Sequence, residues 1–126
     1  MGSKMLASAL GACLVLSLGF GQMSGSMQGG AIDAKALAKA ENEYTVAKKA
    51  YARHHSPGAK QLLVAASDRY ALSSMYAAVL PPKVKYRQAL RLYREVLKID
   101  PANREAKNNS ELIISIYRSM HRPIPN

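Results

Sequence analysis

The sequence predicts an all-α protein made of antiparallel helical hairpins, about four helices following an apolar leader. Three observations carry that expectation. After Ala31, proline and glycine are confined to Pro57-Gly58, Pro81-Pro82, Pro101, Pro123 and Pro125, and the intervals between them are rich in the helix formers Ala, Leu, Lys, Arg and Glu. Within those intervals apolar residues recur every three or four positions, the period of a one-sided helix. Helices of this length are marginal alone, so they must pack on one another through short connections.

The first helix is expected from about Asp33 to His54, with Asp33 as N-cap and Leu37, Ala40, Tyr44, Ala47 and Tyr51 facing inward. Ser56-Pro57-Gly58 reads as a turn, because proline fixes its own φ and biases its predecessor away from helix. The second helix is expected from about Ala59 to Val79, burying a small-residue seam of Leu62, Leu63, Ala66, Tyr70, Leu72 on a flank, Ser73, Tyr76 and Ala77 before Pro81-Pro82 ends it. The third, from Lys83 to Ile99, has the cleanest stripe: Tyr86, Ala89, Leu90, Tyr93, Val96 and Leu97. Asp100-Pro101 turns the chain into a last helix from about Ala102 to Met120, with Ala106, Leu112, Ile113, Ile116, Tyr117 and Met120 inward. No strand is required.

The leader has one lysine, Lys4, an apolar run from Met5 to Phe20 and then a Gly/Ser/Gln/Met tract, the layout of a secretory signal peptide. This divides the chain into a signal peptide over 1–21, with cleavage between 21 and 31, a flexible linker over 22–31, a helical domain over 32–121 and a tail over 122–126. The protein is therefore expected to be exported, to a periplasm or the cell exterior. The apolar run falls short of the roughly 20 residues that span a bilayer, which leaves a retained signal anchor as a minor alternative. Leu10-Gly11-Ala12-Cys13 resembles a lipoprotein acceptor, but the apolar run continues past Cys13, so lipidation is a second minor alternative. Cys13 is the sole cysteine, and the helical body has no thiol for a disulfide or a metal.

The formal charge of +10 favours acidic partners or anionic surfaces through long-range attraction. Nucleic acid is disfavoured, because no nucleic-acid motif or stacking platform accompanies the basic residues. Catalysis finds no support either. The acidic residues are scattered, no nucleophile has a neighbouring base in sequence, and no Gly-rich phosphate loop or cofactor motif is present. No cofactor is expected. His54 and His55 point to different sides of a helix end and His121 is remote, so no metal site is expected.

The stretch from Tyr86 to Asn109 resembles the second helix of a tetratricopeptide repeat and the entry to the next repeat. Ala89, Tyr93 and Val96 match its small, aromatic and medium positions, and Pro101 falls at the terminal proline. Counting back gives a unit from Tyr70 to Asn103, the 34-residue period of the family. Its first helix departs from the pattern: Ser73, Tyr76-Ala77 and Leu80 stand where the family has a large aromatic, Leu-Gly and Tyr. The resemblance implies a short helical solenoid that binds a protein or peptide. Solenoids of so few units need partners or copies of themselves to cover their ends, so self-association is a further expectation.

The candidate partner-binding residues are Arg87, Arg91, Arg94 and Lys98, spaced four, three and four apart and so aligned along the third helix. Such a line suits an acidic protein segment, an anionic lipid surface or an acidic envelope polymer, each arginine offering a planar fork to carboxylate or phosphate. The plainer alternative is a solvated cationic face eased by Glu95 and Asp100. Lys48, Lys49, Arg53, His54, His55 and Lys60 form a second basic cluster about the first turn. Asn108 and Asn109, early in the last helix, are candidates for holding a ligand's backbone, as the resemblance implies; a capping or solvent role is the alternative.

Overall fold

A computed structural model describes residues 32–126; the expected signal peptide with its cleavage range, the expected linker and Cys13 lie outside the described residues. Four helices follow one another: α1 (Ala34–Arg53), α2 (Pro57–Met75), α3 (Pro82–Ile99) and α4 (Arg104–Ser119). The described residues are thus all-α, as the sequence predicts, and no helix among them is long and apolar enough to cross a membrane. α2 packs between α1 and α3, and α3 between α2 and α4, so the chain folds as successive antiparallel hairpins.

Local chemistry accounts for the helix starts. Asp33 accepts from the Ala36 amide at 2.7 Å, Ser56 from the Ala59 amide at 3.1 Å and Asn103 from the Ala106 amide at 2.9 Å, each supplying an acceptor to a first-turn N–H that lacks one. The expected turn at Ser56-Pro57-Gly58 is shorter than the sequence suggested: Pro57 and Gly58 already belong to α2. Proline suits a first helical position, where its missing N–H would have had no partner. α3 lacks a side-chain cap and opens on Pro81 and Pro82, with the Pro81 carbonyl taking the Val84 and Lys85 amides.

The second helix ends at Met75, four residues before the expected Val79. The chain leaves the helix because its backbone finds another partner. Ile32, just before α1, donates to the Tyr76 carbonyl at 2.9 Å and accepts from the Ala78 amide at 3.2 Å, a single parallel bridge to Ala77. That bridge ties the start of the described chain to the α2–α3 connection and buries Ala77 completely. Tyr76, expected inside, is turned outward as a result.

The core runs along the middle of the stack: Ala40 and Tyr44 from α1, Leu63, Ala66, Tyr70, Ala71 and Met75 from α2, Ala89, Leu90, Leu92, Tyr93 and Val96 from α3, and Ala106, Ile113 and Tyr117 from α4. α3 is covered on two sides, so Leu92, which lies off the sequence stripe, is as fully buried as Leu90. Three further residues assigned inward by periodicity face out. Leu62 is 65% exposed, and Leu112 and Met120 are both exposed. Each lies on the edge of a stripe whose neighbouring position, Leu63, Ile113 or Tyr117, takes the buried place.

The tail does not trail away. After α4 the chain reverses through His121 at φ 53°, a left-handed position typical of a helix end, with the Arg122 amide bonded to the Tyr117 carbonyl at 3.0 Å. Ile124 then packs against the core.

Candidate interaction surface

Helix α3 carries all four residues of the basic stripe, and its surroundings divide them by role. Arg91 donates to Glu95 Oε1 at 2.6 Å, one turn on. The other oxygen of Glu95 accepts from the Tyr44 hydroxyl of α1 at 2.7 Å, and Lys48 Nζ donates to that hydroxyl at 3.0 Å. Glu95 is therefore a junction between α1 and α3 with Arg91 as part of its support. Arg94 donates to the Pro125 carbonyl at 2.6 Å and so holds the tail against the helix. Arg91 and Arg94 are committed to the fold.

Arg87 and Lys98 are not. Both are exposed, and among the described residues neither forms an ion pair. Arg87 stands where two shallow grooves adjoin. One, of about 400 Å³, is lined by Lys83, Arg87, Tyr117, Arg122 and the tail; the other, of about 620 Å³, by Lys83, Val84, Arg87, Gln88, Arg91 and Asn126. Lys83 and Arg122, which the stripe pattern passes over, thus join Arg87 in one cationic surface. Lys83 precedes Arg87 by one turn, a signal the spacing could have supplied; Arg122 arrives only through the reversal after α4.

The two asparagines also part. Asn109 donates to the Tyr93 hydroxyl at 2.9 Å and is half-buried, a tie between α4 and α3. Burial pushes the Tyr93 hydroxyl well above its ordinary range, against the opposing effect of that hydrogen bond, so it stays protonated at any ordinary pH. Asn108 beside it is exposed. In the second basic cluster, Lys48 is drawn into the Tyr44–Glu95 junction, while the His55 ring lies 4.8 Å from that of Tyr51.

Sequence reasoning missed a third groove, of about 780 Å³, between α2 and the start of α4, lined by Pro57, Lys60, Gln61, Val64, Ala65, Asp68, Arg69, Leu72, Asp100 and Glu105. Asp68 in its wall is 8% exposed, and its Oδ2 accepts from Asn103 Nδ2 at 2.9 Å. Burial, with Glu105 and Asp100 nearby, pushes its carboxyl up to about 6 in spite of the Asn103 hydrogen bond. No group of three or more His, Cys, Asp and Glu among the described residues is placed to hold a metal ion.

Compared with known proteins, the chain matches no protein family, no curated protein and no solved structure.

Proposed function

We propose that this protein is an exported interaction module that docks an acidic segment of a partner protein on the cationic surface around Arg87. The observation that carries the reading is the exposed, unpaired Arg87 guanidinium between two adjoining grooves that also contain Lys83 and Arg122. A guanidinium with no internal carboxylate is available for bidentate pairing, and the grooves give side chains beside an acidic residue somewhere to lie. The tetratricopeptide-like features concentrate in α3 and the α3–α4 turn. Successive hairpins here start 48 residues apart (α1 to α3) and 47 apart (α2 to α4), so the 34-residue window covers only the end of α2 together with α3. The resemblance therefore supports a hairpin-built binding surface, with α3 as its best-matched helix. Binding, not catalysis, is the role this surface suits.

The test compares the full chain with Arg87→Glu and Lys98→Glu variants, which keep both members of the Arg91–Glu95 pair and of the Arg94–Pro125 clamp. A labelled acidic peptide is titrated by fluorescence anisotropy, and vesicles containing an anionic lipid are sedimented in parallel. Peptide binding that weakens at least tenfold in Arg87→Glu supports partner docking. Vesicle binding alone, collapsing as salt is raised, transfers the surface to the alternative role of sitting on anionic lipid or an acidic polymer. Binding of neither removes the cationic surface as the site.

A further inference from the structure

Beside the Arg87 grooves lies a smaller pocket of different chemistry. Its walls are Pro81 and Pro82 at the start of α3, Tyr86 one turn on, and Tyr117 and Met120 at the end of α4. Proline brings rigid apolar surface and no backbone N–H, so two adjoining prolines make a wall that offers a ligand no donor. Both prolines are exposed and Met120 is 46% exposed, which leaves the pocket open to solvent. Its volume, about 290 Å³, is just under the range of ligand cavities, roughly 300–1,000 Å³, and suits one large side chain. Lys83, Tyr117 and Arg122 also line the groove that holds Arg87, so the apolar pocket and the cationic surface are continuous. Lys83 and Arg122 are exposed, and neither forms an ion pair among the described residues. An apolar pocket rimmed by two such cations, on a chain of formal charge +10, selects an occupant that carries an apolar group and negative charge together.

We infer that the partner's acidic segment is anchored by a large aliphatic or aromatic side chain seated in this pocket, with carboxylates two and four residues away from it meeting first Lys83 and Arg122 and then Arg87. The inference rests on the acidic-partner reading and adds to it which acidic segments the surface accepts. Geometry sets the spacing. Lys83 and Arg87 are four residues apart on α3, about 6 Å at 1.5 Å per residue. An extended peptide advances about 3.3 Å per residue and turns alternate side chains to one face, so same-face side chains recur about every 6.6 Å. An anchor and two acids at alternate positions therefore reach the pocket, its cationic rim and Arg87 in that order. The anchor supplies what charge pairing at an open surface lacks. Exposed ion pairs contribute little and are screened by salt, whereas a side chain moved from water into an apolar pocket contributes through burial, which salt does not screen.

The test titrates the full chain into labelled peptides, read by fluorescence anisotropy. The probe is Ser-Glu-Ser-Glu-Ser-Leu-Ser-Glu-Ser-Glu-Ser, whose glutamates lie two and four residues to either side of the leucine, so that chain direction does not matter. One control carries alanine in place of the leucine, and another carries glutamine in place of every glutamate. The Met120 methyl signal is followed by NMR in parallel, and a Met120→Gln variant, checked for folding by circular dichroism, makes one wall polar at equal length. The leucine peptide should bind at least tenfold more tightly than either control and should alone shift the Met120 methyl signal. In Met120→Gln its advantage over the alanine peptide should fall to about threefold or less. Equal affinity for the leucine and alanine peptides, both weakened by Arg87→Glu, overturns the anchor and leaves the acidic-partner reading standing. Failure of every peptide to bind overturns both. A glutamine peptide that binds as tightly as the glutamate one overturns the paired recognition, because the pocket then acts without its rim. Methyl shifts that grow with protein concentration in the absence of peptide give the pocket to a second copy of the chain and likewise overturn the proposal.

Discussion

Asn103 holds Asp68 and starts α4 with the same side-chain amide: its Nδ2 donates to Asp68 Oδ2 at 2.9 Å and its Oδ1 accepts from the Ala106 amide at 2.9 Å. One residue in the α3–α4 turn thus fixes a helix terminus and a carboxylate buried on α2. Their two roles also settle the orientation of the amide, since only this arrangement gives the carboxylate a donor and the helix an acceptor.

Replacing Asn103 with alanine removes both bonds. The lost cap costs about 1 kcal/mol, and the Asp68 oxygen left without its donor adds about 1–3 kcal/mol. Chemical denaturation should show a loss of about 2–4 kcal/mol near neutral pH. Asn103→Asp keeps an acceptor for the cap but sets a carboxylate against Asp68, and should be at least as damaging near pH 7.

Asp68 makes stability depend on pH in the direction opposite to a salt-bridged carboxylate. Its folded-state pKa, about 6, lies above the ordinary value of 3.8, so the folded protein holds the proton more tightly than the unfolded chain. Stability therefore rises as pH falls from above 6 to below 3.8 for this group, and the destabilisation is fully present above pH 6. The upper bound is about 3 kcal/mol, from roughly 1.4 kcal/mol per pH unit. Asp68→Asn should be more stable than wild type near pH 7 and should flatten this part of the profile, read by urea denaturation across the pH range. If Asp68→Asn is less stable at pH 7, the burial penalty assigned to the charged form is wrong.

Tyr44→Phe separates the hydroxyl from the ring. The ring stays against Tyr70, 5.4 Å between centroids, while Glu95 loses its bond from α1. A loss of about 1.5–3 kcal/mol is expected, as for a hydrogen bond to a charged group. A double-mutant cycle with Glu95→Gln should show coupling, because the two residues meet directly.

Arg94→Gln should free the tail without unfolding the helices. The Ile124 and Asn126 amides then show faster motion in nitrogen-15 relaxation than in wild type, while the melting temperature changes little, because only the Pro125 contact and the packing of Ile124 are weakened.

Leu92→Ala and Leu62→Ala form a paired test of how burial is distributed. Leu92 is wholly buried and should cost about 2–5 kcal/mol. Leu62, 65% exposed, should stay within about 0.5 kcal/mol. Equal losses at the two sites would mean that α2 is rotated from the orientation described.

Class, order and most of the inner residues of the helices were legible in the sequence because they depend on short-range rules: proline stops, caps within three residues, and a period of 3.6. Asp33 as a cap, and the α3 stripe through Ala89, Leu90, Tyr93 and Val96, needed nothing else. Decisions that join distant segments were not legible. The early end of α2 follows from a backbone bridge to Ile32, more than forty residues upstream. The stripe of four basic residues is regular in sequence, yet Arg91 pairs with Glu95 one turn on, itself held by Tyr44 of α1, and the tail that tertiary packing returns takes Arg94, which leaves Arg87 and Lys98 exposed. Asp68 reads in sequence as one scattered acid among small residues; only the approach of α4 sets Asn103, Asp100 and Glu105 around it and raises its pKa. Backbone propensity and periodicity act within a few residues along the chain, whereas charge pairing and desolvation act through space, so the sequence by itself determined the helices and the tertiary structure decided which of their polar side chains remain available.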